Sequence, residues 1–166
     1  SGPQDDTLGA LAALAAEVNA AEDVRPSAGE FPVIPKGALN AQSVSAVIAR
    51  LQPANCIIMD EALTVGTPYF DASRRAPRFS HLMLTGGAIG EGPGAATGAA
   101  IACPDRKVIN FQSDGCGAYS VQAFWTQARE NLDVVTIIGS NRSYNILRVE
   151  LLRAGVTRAG PIARSM

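Results

Sequence analysis

The chain contains few of the residues that mark several large classes of protein. It has one histidine and three cysteines among 166 residues, and only 17% of the residues are charged. Cys56, Cys103 and Cys116 are an odd number without metal-ligand spacing, so neither a disulfide framework nor a zinc site is predicted. We expect Cys56 and Cys103 to be small buried apolar residues. The net charge of −1 gives no electrostatic reason to expect binding to nucleic acid or to an anionic membrane.

The sequence also lacks long apolar runs. Glycine, proline or a charged residue interrupts each run well short of a membrane-spanning helix, and no basic segment followed by a hydrophobic one opens the chain. We therefore expect a soluble, cytoplasmic protein. Hydrophobic residues nevertheless make up 47% of the sequence, which predicts one domain with heavily buried strands.

The first part of the chain, residues 1–37, is predicted to be a helix followed by a linker. Thr7 is a candidate cap for this alanine-rich helix, and prolines at positions 26, 32 and 35 predict an extended linker that ends at Gly37. The compact domain then covers residues 38–166. The larger apolar side chains of the helix fall on one face: Leu8, Leu11, Leu14 and Val18.

The compact domain is predicted to open with a capped helix and a buried strand. Asn40 can cap a helix that Pro53 closes, and the short apolar run from Cys56 to Met59 is typical of a strand covered on both faces. This strand runs into Asp60 and Glu61. These acids could serve as a general base or a metal ligand, but we prefer the interpretation that they cap the following turn.

A second pair of strands carries the most informative residues. The run 107–112 predicts a strand that ends at Asp114, and the β-branched run 134–138 predicts another that ends just before Asn141. The segment between them predicts one crossover helix, so the strands are parallel and their carboxyl ends meet at one sheet edge. The residues expected to bury one face of that helix are Tyr119, Val121, Phe124, Trp125 and Ala128.

Asp114 and Asn141 are oxygen donors at that edge, and a backbone carbonyl just after Asn141 would add a third. Hard cations such as Mg²⁺ prefer these ligands and complete their coordination with water and substrate phosphate oxygens. Gly115 and Gly117 leave backbone N–H groups exposed at the start of the next helix, where an anion is favoured. The pattern therefore predicts a metal ion that holds a diphosphate.

With these residues, the chain resembles the diphosphate-binding domain of thiamine diphosphate enzymes, near acetolactate synthases and benzoylformate decarboxylase. That family carries Gly-Asp-Gly and, one βαβ unit later, Asn-Asn; Asp114, Gly115 and Asn141 match it. Ser113 and Ser140 replace the first glycine and the first asparagine. The resemblance also covers the blocks 57–62, 85–90 and 118–126 in the same order.

The resemblance implies a doubly wound α/β fold, with a mainly parallel sheet that has helices on both faces and is incomplete at its C-terminus. It implies a metal site made by Asp114, Asn141 and the Ser143 carbonyl. The cofactor contacts it implies are Thr64, Gly87, Ala88, Ile89, Gly115, Cys116 and Tyr144. Of these, Ile89 would prop the cofactor into its bent conformation, and Asn145 and Ile146 are candidates to line the substrate pocket.

The implied reaction is decarboxylation of a 2-oxo acid, after which the aldehyde unit is joined to a second molecule, as in acetolactate synthases, or released, as in benzoylformate decarboxylase. The implied cofactors are thiamine diphosphate and Mg²⁺; FAD is left open, since no residue here indicates it. The implied partner is a pyrimidine-binding domain of the same or another subunit, in a homo-oligomer. That domain supplies the activating glutamate, so no catalytic residue is assigned here, and the chain alone is expected to be inactive.

Three alternatives stay open at this point. Residues 90–95 fit the relaxed G-x-G-x-x-A fingerprint, which would make Asp114 the ribose-binding acid of an NAD site. Cys116 on a glycine-flanked turn could be the nucleophile of a thiol hydrolase, with His81 as its base. Finally, Ser113 and Ser140 would also suit a non-catalytic relative that keeps the fold.

Overall fold

The computed structural model describes residues 2, 4–20, 33–156 and 158–165. Four strands alternate with eight α-helices and one 3-10 turn within these residues. The strands are β1 (Ile57–Glu61), β2 (Ser80–Met83), β3 (Val108–Ser113) and β4 (Val134–Gly139). The helices are α1 (Thr7–Glu17), α2 (Ala41–Leu51), α3 (Tyr69–Ala72), α4 (Glu91–Ala102), α5 (Asp114–Tyr119), α6 (Gln122–Arg129), α7 (Asn145–Arg153) and α8 (Pro161–Arg164).

All four strands are parallel, in the order β2-β1-β3-β4. The chain moves outward from β1 to β2, then crosses back through α4 to the other side of β1. The direction of winding therefore reverses between β1 and β3. In doubly wound sheets the loops at such a switch point diverge and leave a crevice at the carboxyl ends of the strands.

The two faces of the sheet are covered by different helices, as the alternation of side chains along the strands requires. Ile58 and Phe111 point to the face that α2 and α3 cover. Met59 and Val108 point to the opposite face, where Ala96 and Ala100 of α4 pack. Both sheet faces are thus closed in the centre of the sheet, which confirms the predicted fold class.

The capped helix is confirmed, while the cap of the first helix was assigned to the wrong residue. Asn40 Oδ1 accepts the backbone N–H of Ser43, and Ser43 Oγ accepts the N–H of Asn40, which forms a reciprocal capping box. In α1 the cap is Asp6, whose carboxylate accepts the N–H of Gly9, and Thr7 is the first helical residue. The apolar face of α1 is exposed.

The prediction of one crossover helix with a buried apolar face is wrong. The segment forms α5 and α6, separated at Ser120 and Val121. The side chain that α6 buries is Gln127, whose Nε2 donates to Pro93 O and Thr97 Oγ1 of α4. Because α4 presents these polar acceptors, α6 buries an amide side chain against it and not the predicted apolar face. Tyr119, Val121, Trp125 and Ala128 are exposed, and Phe124 is half-buried.

Smaller boundaries also differ. Strand β3 ends at Ser113, so Asp114 is the first residue of α5 rather than the last of the strand. Cys56 is buried as expected, while Cys103 is only partly buried at the end of α4. Most of the predicted linker, residues 25–32, lies outside the described residues, and the division at residues 37 and 38 stays a prediction. No helix in the described ranges could cross a membrane; the cytoplasmic location stays a prediction.

Candidate cofactor site

The crevice at the switch point contains a cavity of about 260 Å³. The loops that follow β1, β3 and β4 and the segment before α4 all contribute to it. Its lining includes the three predicted metal ligands and five of the seven predicted cofactor contacts. The residues are Leu63, Thr64, Ile89, Ser113, Asp114, Gly115, Cys116, Tyr119, Asn141, Ser143, Tyr144, Asn145, Ile146 and Leu147.

Asp114 is held by backbone donors at the carboxyl end of β3. Its Oδ1 accepts the N–H of Gly115 at 2.9 Å, and its Oδ2 accepts the N–H of Arg142 at 3.2 Å. Ser140 Oγ lies 3.4 Å from the same Oδ2, which is a weak contact. The carboxylate thus joins the end of β3 to the loop after β4 and still borders the cavity.

The loop after β4, Ser140–Ser143, is named here the asparagine loop. Asn141 Oδ1 accepts the N–H of Ser143 at 2.9 Å, and Arg142 adopts a left-handed backbone conformation with φ of 55°. The preceding Gly139 lies against Val65, where an added Cβ would be 2.5 Å from Val65 Cγ1. The loop therefore begins from a close contact with the β1 side of the crevice and brings Asn141 and Ser143 to the cavity.

The second contribution comes from the segment Thr85–Gly90, named here the glycine loop. Gly86, Gly87 and Gly90 have φ of 62°, 72° and 95°, a region that favours glycine. No atom outside the neighbouring residues lies within 4 Å of a Cβ built at Gly86 or Gly87. Ile89 is 44% exposed and points into the cavity. The glycine loop is thus an open turn that presents one large apolar side chain.

Glu61 anchors the end of the glycine loop. It is the last residue of β1, and only 1% of it is exposed. Its Oε1 accepts the N–H of Gly90 at 2.5 Å, and its Oε2 accepts the N–H of Gly92 and Gln112 Nε2, both at 2.8 Å. Glu61 is therefore neither a base with a free lone pair at the cavity nor a turn cap. Asp60 does cap the turn, since its Oδ1 accepts the N–H of Ala62.

Two predicted cofactor contacts, Gly87 and Ala88, lie outside the cavity lining, in the exposed part of the glycine loop. Within that loop Ala88 N donates to Thr85 O, and Ile89 N donates to Gly87 O. Asn145 and Ile146 do line the cavity, as does Tyr119, which we had expected in the core. Tyr119 lines the cavity because α5 ends beside the glycine loop. A Cβ built at Gly90 would lie only 2.6 Å from the Cβ of Tyr119.

The structure does not bring together the parts of a thiol hydrolase. Cys116 is 3% exposed, and burial, followed by the nearby carboxylates of Glu61 and Asp114, raises the pKa of its thiol even though Ser113 opposes the shift. His81 lies on β2, with β1 between it and β3, and its Nε2 is 3.5 Å from Asp60 Oδ2. Its ring also packs against Tyr69, so His81 has a structural role. A buried neutral thiol with no histidine beside it is a poor nucleophile.

The dinucleotide fingerprint is also explained by the structure. In an NAD site the N–H groups at the start of the helix after the glycines would receive the pyrophosphate. Here the N–H groups of Gly90 and Gly92, at the start of α4, donate to the carboxylate of Glu61. The protein's own anion therefore occupies the position that a dinucleotide phosphate would need.

Sequence reasoning missed Glu61 and its partner Gln112 as parts of this site. Both lie on strands that are buried on both faces, and Gln112 is 0% exposed. A charged or amide side chain in such a strand needs hydrogen-bonding partners inside the protein. The burial predicted for β1 could therefore have indicated that Glu61 binds internal donors; nothing in the sequence identified Gly90 and Gly92 as those donors.

A larger cleft of about 660 Å³ lies elsewhere, between α7 and α8. Its lining includes Arg148, Leu152, Val156 and Arg164, and Arg148 already donates to the Arg164 carbonyl. It lacks the carboxylate and amide oxygens that converge at the switch point. We therefore place the candidate site at the smaller cavity, where the chemistry is concentrated.

The oxygen donors at this cavity suit a hard cation. Among the described residues no group of three His, Cys, Asp or Glu side chains could hold a metal, so any ion must use amide and carbonyl oxygens besides Asp114. That set leaves positions open for phosphate oxygens, which is how Mg²⁺ is usually bound. Gly115 leaves room for a ligand as well, because an added Cβ would meet only the Tyr144 ring, at 3.8 Å. The residues therefore fit a magnesium diphosphate group.

The comparisons with known proteins give the same family as the residues. Residues 64–162 match the family model described as "Thiamine pyrophosphate enzyme, C-terminal TPP binding domain". An acetolactate synthase large subunit-like protein of Mycobacterium tuberculosis, IlvX, is 49% identical over 88% of this chain and 28% of its own length. The benzoylformate decarboxylase of Pseudomonas aeruginosa is 32% identical over 88% of this chain and 29% of its own length.

A solved structure of a related enzyme has the same fold. The thiamine diphosphate-dependent 4-hydroxybenzoylformate decarboxylase of Rhodococcus jostii RHA1 superposes with a TM-score of 0.69, at 27% identity over 82% of this chain and 26% of that chain. The chain thus spans less than a third of the length of these relatives.

Proposed function

Because the chain belongs to the thiamine pyrophosphate enzymes and matches their C-terminal cofactor-binding domain, we propose that it binds thiamine diphosphate with Mg²⁺ at the switch-point cavity. The single observation that carries this proposal is the convergence of Asp114, Asn141 and Ser143 on one cavity with Ile89. The metal donors and the apolar side chain come from separate loops, and the fold brings them together.

Each residue then has a defined task. The Asp114 carboxylate, the Asn141 amide oxygen and the Ser143 carbonyl hold Mg²⁺. Gly115, whose N–H already donates to Asp114 Oδ1, leaves space for the diphosphate at the start of α5, and Cys116 offers a backbone N–H group there. The remaining contacts that we propose are those of Thr64, Gly87, Ala88, Ile89 and Tyr144.

Bound thiamine diphosphate supplies a carbon nucleophile for the keto group of a 2-oxo acid and an electron sink when CO₂ leaves. The residues of this chain bind and orient: the charge of Asp114 offsets that of the cation, and the backbone groups of α5 favour the anion. Ile89 adds an apolar wall. No residue described here carries a proton at the reacting carbon, so we propose that the activating glutamate comes from a pyrimidine-binding domain of the same or another subunit.

The exposure of the cavity lining supports a shared site. The apolar side chains of Ile89, Tyr119 and Tyr144 line the cavity and are 44%, 64% and 55% exposed. A second domain would close the open side, most simply in a homo-oligomer. The chain alone would then bind the cofactor weakly and show no activity.

For the reaction, we propose that the complete protein decarboxylates a 2-oxo acid and joins the aldehyde unit to a second one. The support is the 49% identity to the acetolactate synthase large subunit-like protein. Simple decarboxylation is the second candidate, supported by the similarity to a benzoylformate decarboxylase and a 4-hydroxybenzoylformate decarboxylase. Product analysis with pyruvate and benzoylformate separates the two: a joined hydroxy-keto acid supports the first, and a free aldehyde alone supports the second.

Cofactor binding can be tested on the purified protein by thermal denaturation. Thiamine diphosphate and Mg²⁺ together should raise the melting temperature, because a ligand that binds only the folded state stabilises it. NAD⁺ should not, and chelation of the metal should abolish the shift. An equal shift with NAD⁺, or a shift with thiamine diphosphate that survives chelation, would contradict the proposal.

A further inference from the structure

We infer that Glu61 is a positioning residue, which fixes the glycine loop against the start of α4 and thereby sets the place of Ile89 in the cofactor cavity. The inference rests on the proposed function, because it gives Ile89 a ligand to contact. Glu61 lies outside residues 64–162, the part that matches the family model. It is not among the metal donors or the cavity lining, and it reaches that lining through the glycine loop and through the Cys116 thiol beside it.

The carboxylate of Glu61 accepts three N–H groups from three different segments, and the Cys116 thiol lies beside it. Gly90 N–H belongs to the glycine loop, Gly92 N–H to the first turn of α4, and Gln112 Nε2 to β3. Gln112 Nε2 also donates to Asn110 Oδ1, so the amide orientation is fixed from the other side. One buried group thus joins β1, β3, the loop and the helix.

Burial makes these hydrogen bonds hard to replace. Glu61 is 1% exposed, so a donor or acceptor that loses its partner there finds no water. Within the described part of the chain Glu61 forms no ion pair, so its charge is balanced by hydrogen bonds and by the amino end of α4. A carboxylate accepts three such bonds readily, while an amide cannot accept with both of its terminal atoms.

The start of α4 depends on Glu61 because its own cap residue is Gly90, which has no side chain to offer. A helix leaves its first four N–H groups without internal acceptors. Here the acceptor comes from the neighbouring strand. The space is also filled, since a Cβ at Gly92 would lie 1.8 Å from Gln112 Nε2 and 2.5 Å from Glu61 Oε2.

The other contacts of the glycine loop described here come from the helix that follows it and from the turn between α5 and α6. Thr85 N–H donates to Glu91 Oε2, which joins the first residue of the loop to the helix that follows it. Ser120 Oγ donates to Gly90 O from the turn between α5 and α6. Glu61 is the contact that ties the loop to the centre of the sheet.

The test is Glu61→Gln, with Glu91→Gln as a matched control in the same segment. The amide at position 61 must turn its NH₂ group toward one of three donors, which breaks at least one hydrogen bond to a charged acceptor. The amide at position 91 can still accept from Thr85 through its remaining oxygen. Glu61→Asp is the second variant; it keeps both oxygens and shortens their reach by one methylene.

The first readout is hydrogen exchange of the cofactor-free protein. In Glu61→Gln we expect the amides of Gly90 and Gly92 to exchange about tenfold to a hundredfold faster, as loss of a buried charged hydrogen bond implies. The amides of β1 and β3 should keep their rates, and Glu91→Gln should match the wild type. Uniformly faster exchange over the sheet would overturn the inference, because Glu61 would then only stabilise the fold.

The second readout is binding, measured by calorimetry with Mg²⁺ and either thiamine diphosphate or inorganic diphosphate. We expect Glu61→Gln and Glu61→Asp to weaken thiamine diphosphate binding about tenfold or more and to leave inorganic diphosphate binding within a factor of about two. An equal loss for both ligands, or no loss for either, overturns the inference. If the wild type binds neither ligand, the proposed function fails, while the exchange experiment still decides whether Glu61 fixes the loop.

Discussion

The glycine loop and the asparagine loop border the same cavity, yet the protein holds them in different ways. The glycine loop is attached to a carboxylate that is 1% exposed and makes three hydrogen bonds. The asparagine loop is attached to Asp114 through exposed contacts of 3.2 and 3.4 Å. The first loop is therefore fixed by buried contacts within the protein, while the second is held loosely at the carboxylate where we propose that the cation binds.

Burial decides which groups each of the two carboxylates, Glu61 and Asp114, can bind. Glu61 and Asp114 both stand at the carboxyl ends of neighbouring strands, and both accept backbone N–H groups. Glu61 has all of its donors inside the protein, so it can stabilise only what already surrounds it. Asp114 borders an open cavity, so it has coordination left for an ion.

Gly92→Ala tests the buried attachment of the glycine loop most directly, because it places a methyl group among the buried contacts of Glu61 and Gln112. We expect the free energy of unfolding to fall by about 3 kcal/mol, because the methyl overfills the site and separates hydrogen-bonded partners. Urea denaturation measures the loss. Gly94→Ala is the control on the same helix: no atom lies within 4 Å of its Cβ, and stability should rise by about 0.5–1 kcal/mol. Equal effects of the two substitutions would contradict the buried packing described for Gly92.

Asp114→Asn tests the other side of the comparison. The amide keeps the size of the side chain but removes the charge that offsets the cation, so Mg²⁺-dependent binding of thiamine diphosphate should weaken by about 2 kcal/mol, or roughly thirtyfold. Calorimetric titration at several Mg²⁺ concentrations measures it. The stability of the ligand-free protein should change by less than about 1 kcal/mol, since the contacts of Asp114 with the asparagine loop are exposed. A large loss of stability with unchanged binding would assign Asp114 a structural role instead.

Gly139→Ala probes the tight contact between Val65 and Gly139, the last residue of β4 before the asparagine loop. Its Cβ would lie 2.5 Å from Val65 Cγ1, so we expect a loss of about 1.5 kcal/mol in the free energy of unfolding. Val65→Ala removes that methyl group. In a double-mutant cycle the combined variant should therefore lose less than the sum of the two single variants. If the two losses of stability simply add, the methyl group introduced at position 139 does not clash with Val65.

The smallest effect is expected for Ser140→Ala. The hydroxyl lies 3.4 Å from Asp114 Oδ2 in an exposed position, so it stabilises the loop by less than about 0.5 kcal/mol. Cofactor affinity should stay within about twofold of the wild type by calorimetry. A tenfold loss would mean that Ser140 replaces the family asparagine in function as well as in position.

The sequence predicted strands β1, β3 and β4 and the meeting of Asp114 and Asn141 at one sheet edge, for identifiable reasons. Runs of β-branched and apolar residues specify strands such as β4, and the end of a strand fixes where Asp114 and Asn141 must lie. Asn40 was found because helix capping is a local interaction. These features depend on residues close together in the chain.

The errors arose where distant segments meet. Gln127 is the buried residue of α6 because α4 offers it two polar acceptors, and periodicity cannot include a partner 30 or more residues away. Glu61 was interpreted as a turn cap because the donor that it binds, the N–H of Gly90, lies 29 residues further along the chain. Each error concerns a polar side chain whose partner is fixed by tertiary packing.

Strand β4 lies at an edge of the sheet, and this position affects how the protein should be handled. In the described residues it pairs with β3 alone, and Val135 and Ile138 are 45% and 49% exposed. A strand with one free edge and apolar side chains can pair with the same strand of another molecule. Concentrated samples are therefore expected to associate through β4, and a light-scattering dilution series would give the concentration below which ligand titrations report on separate molecules.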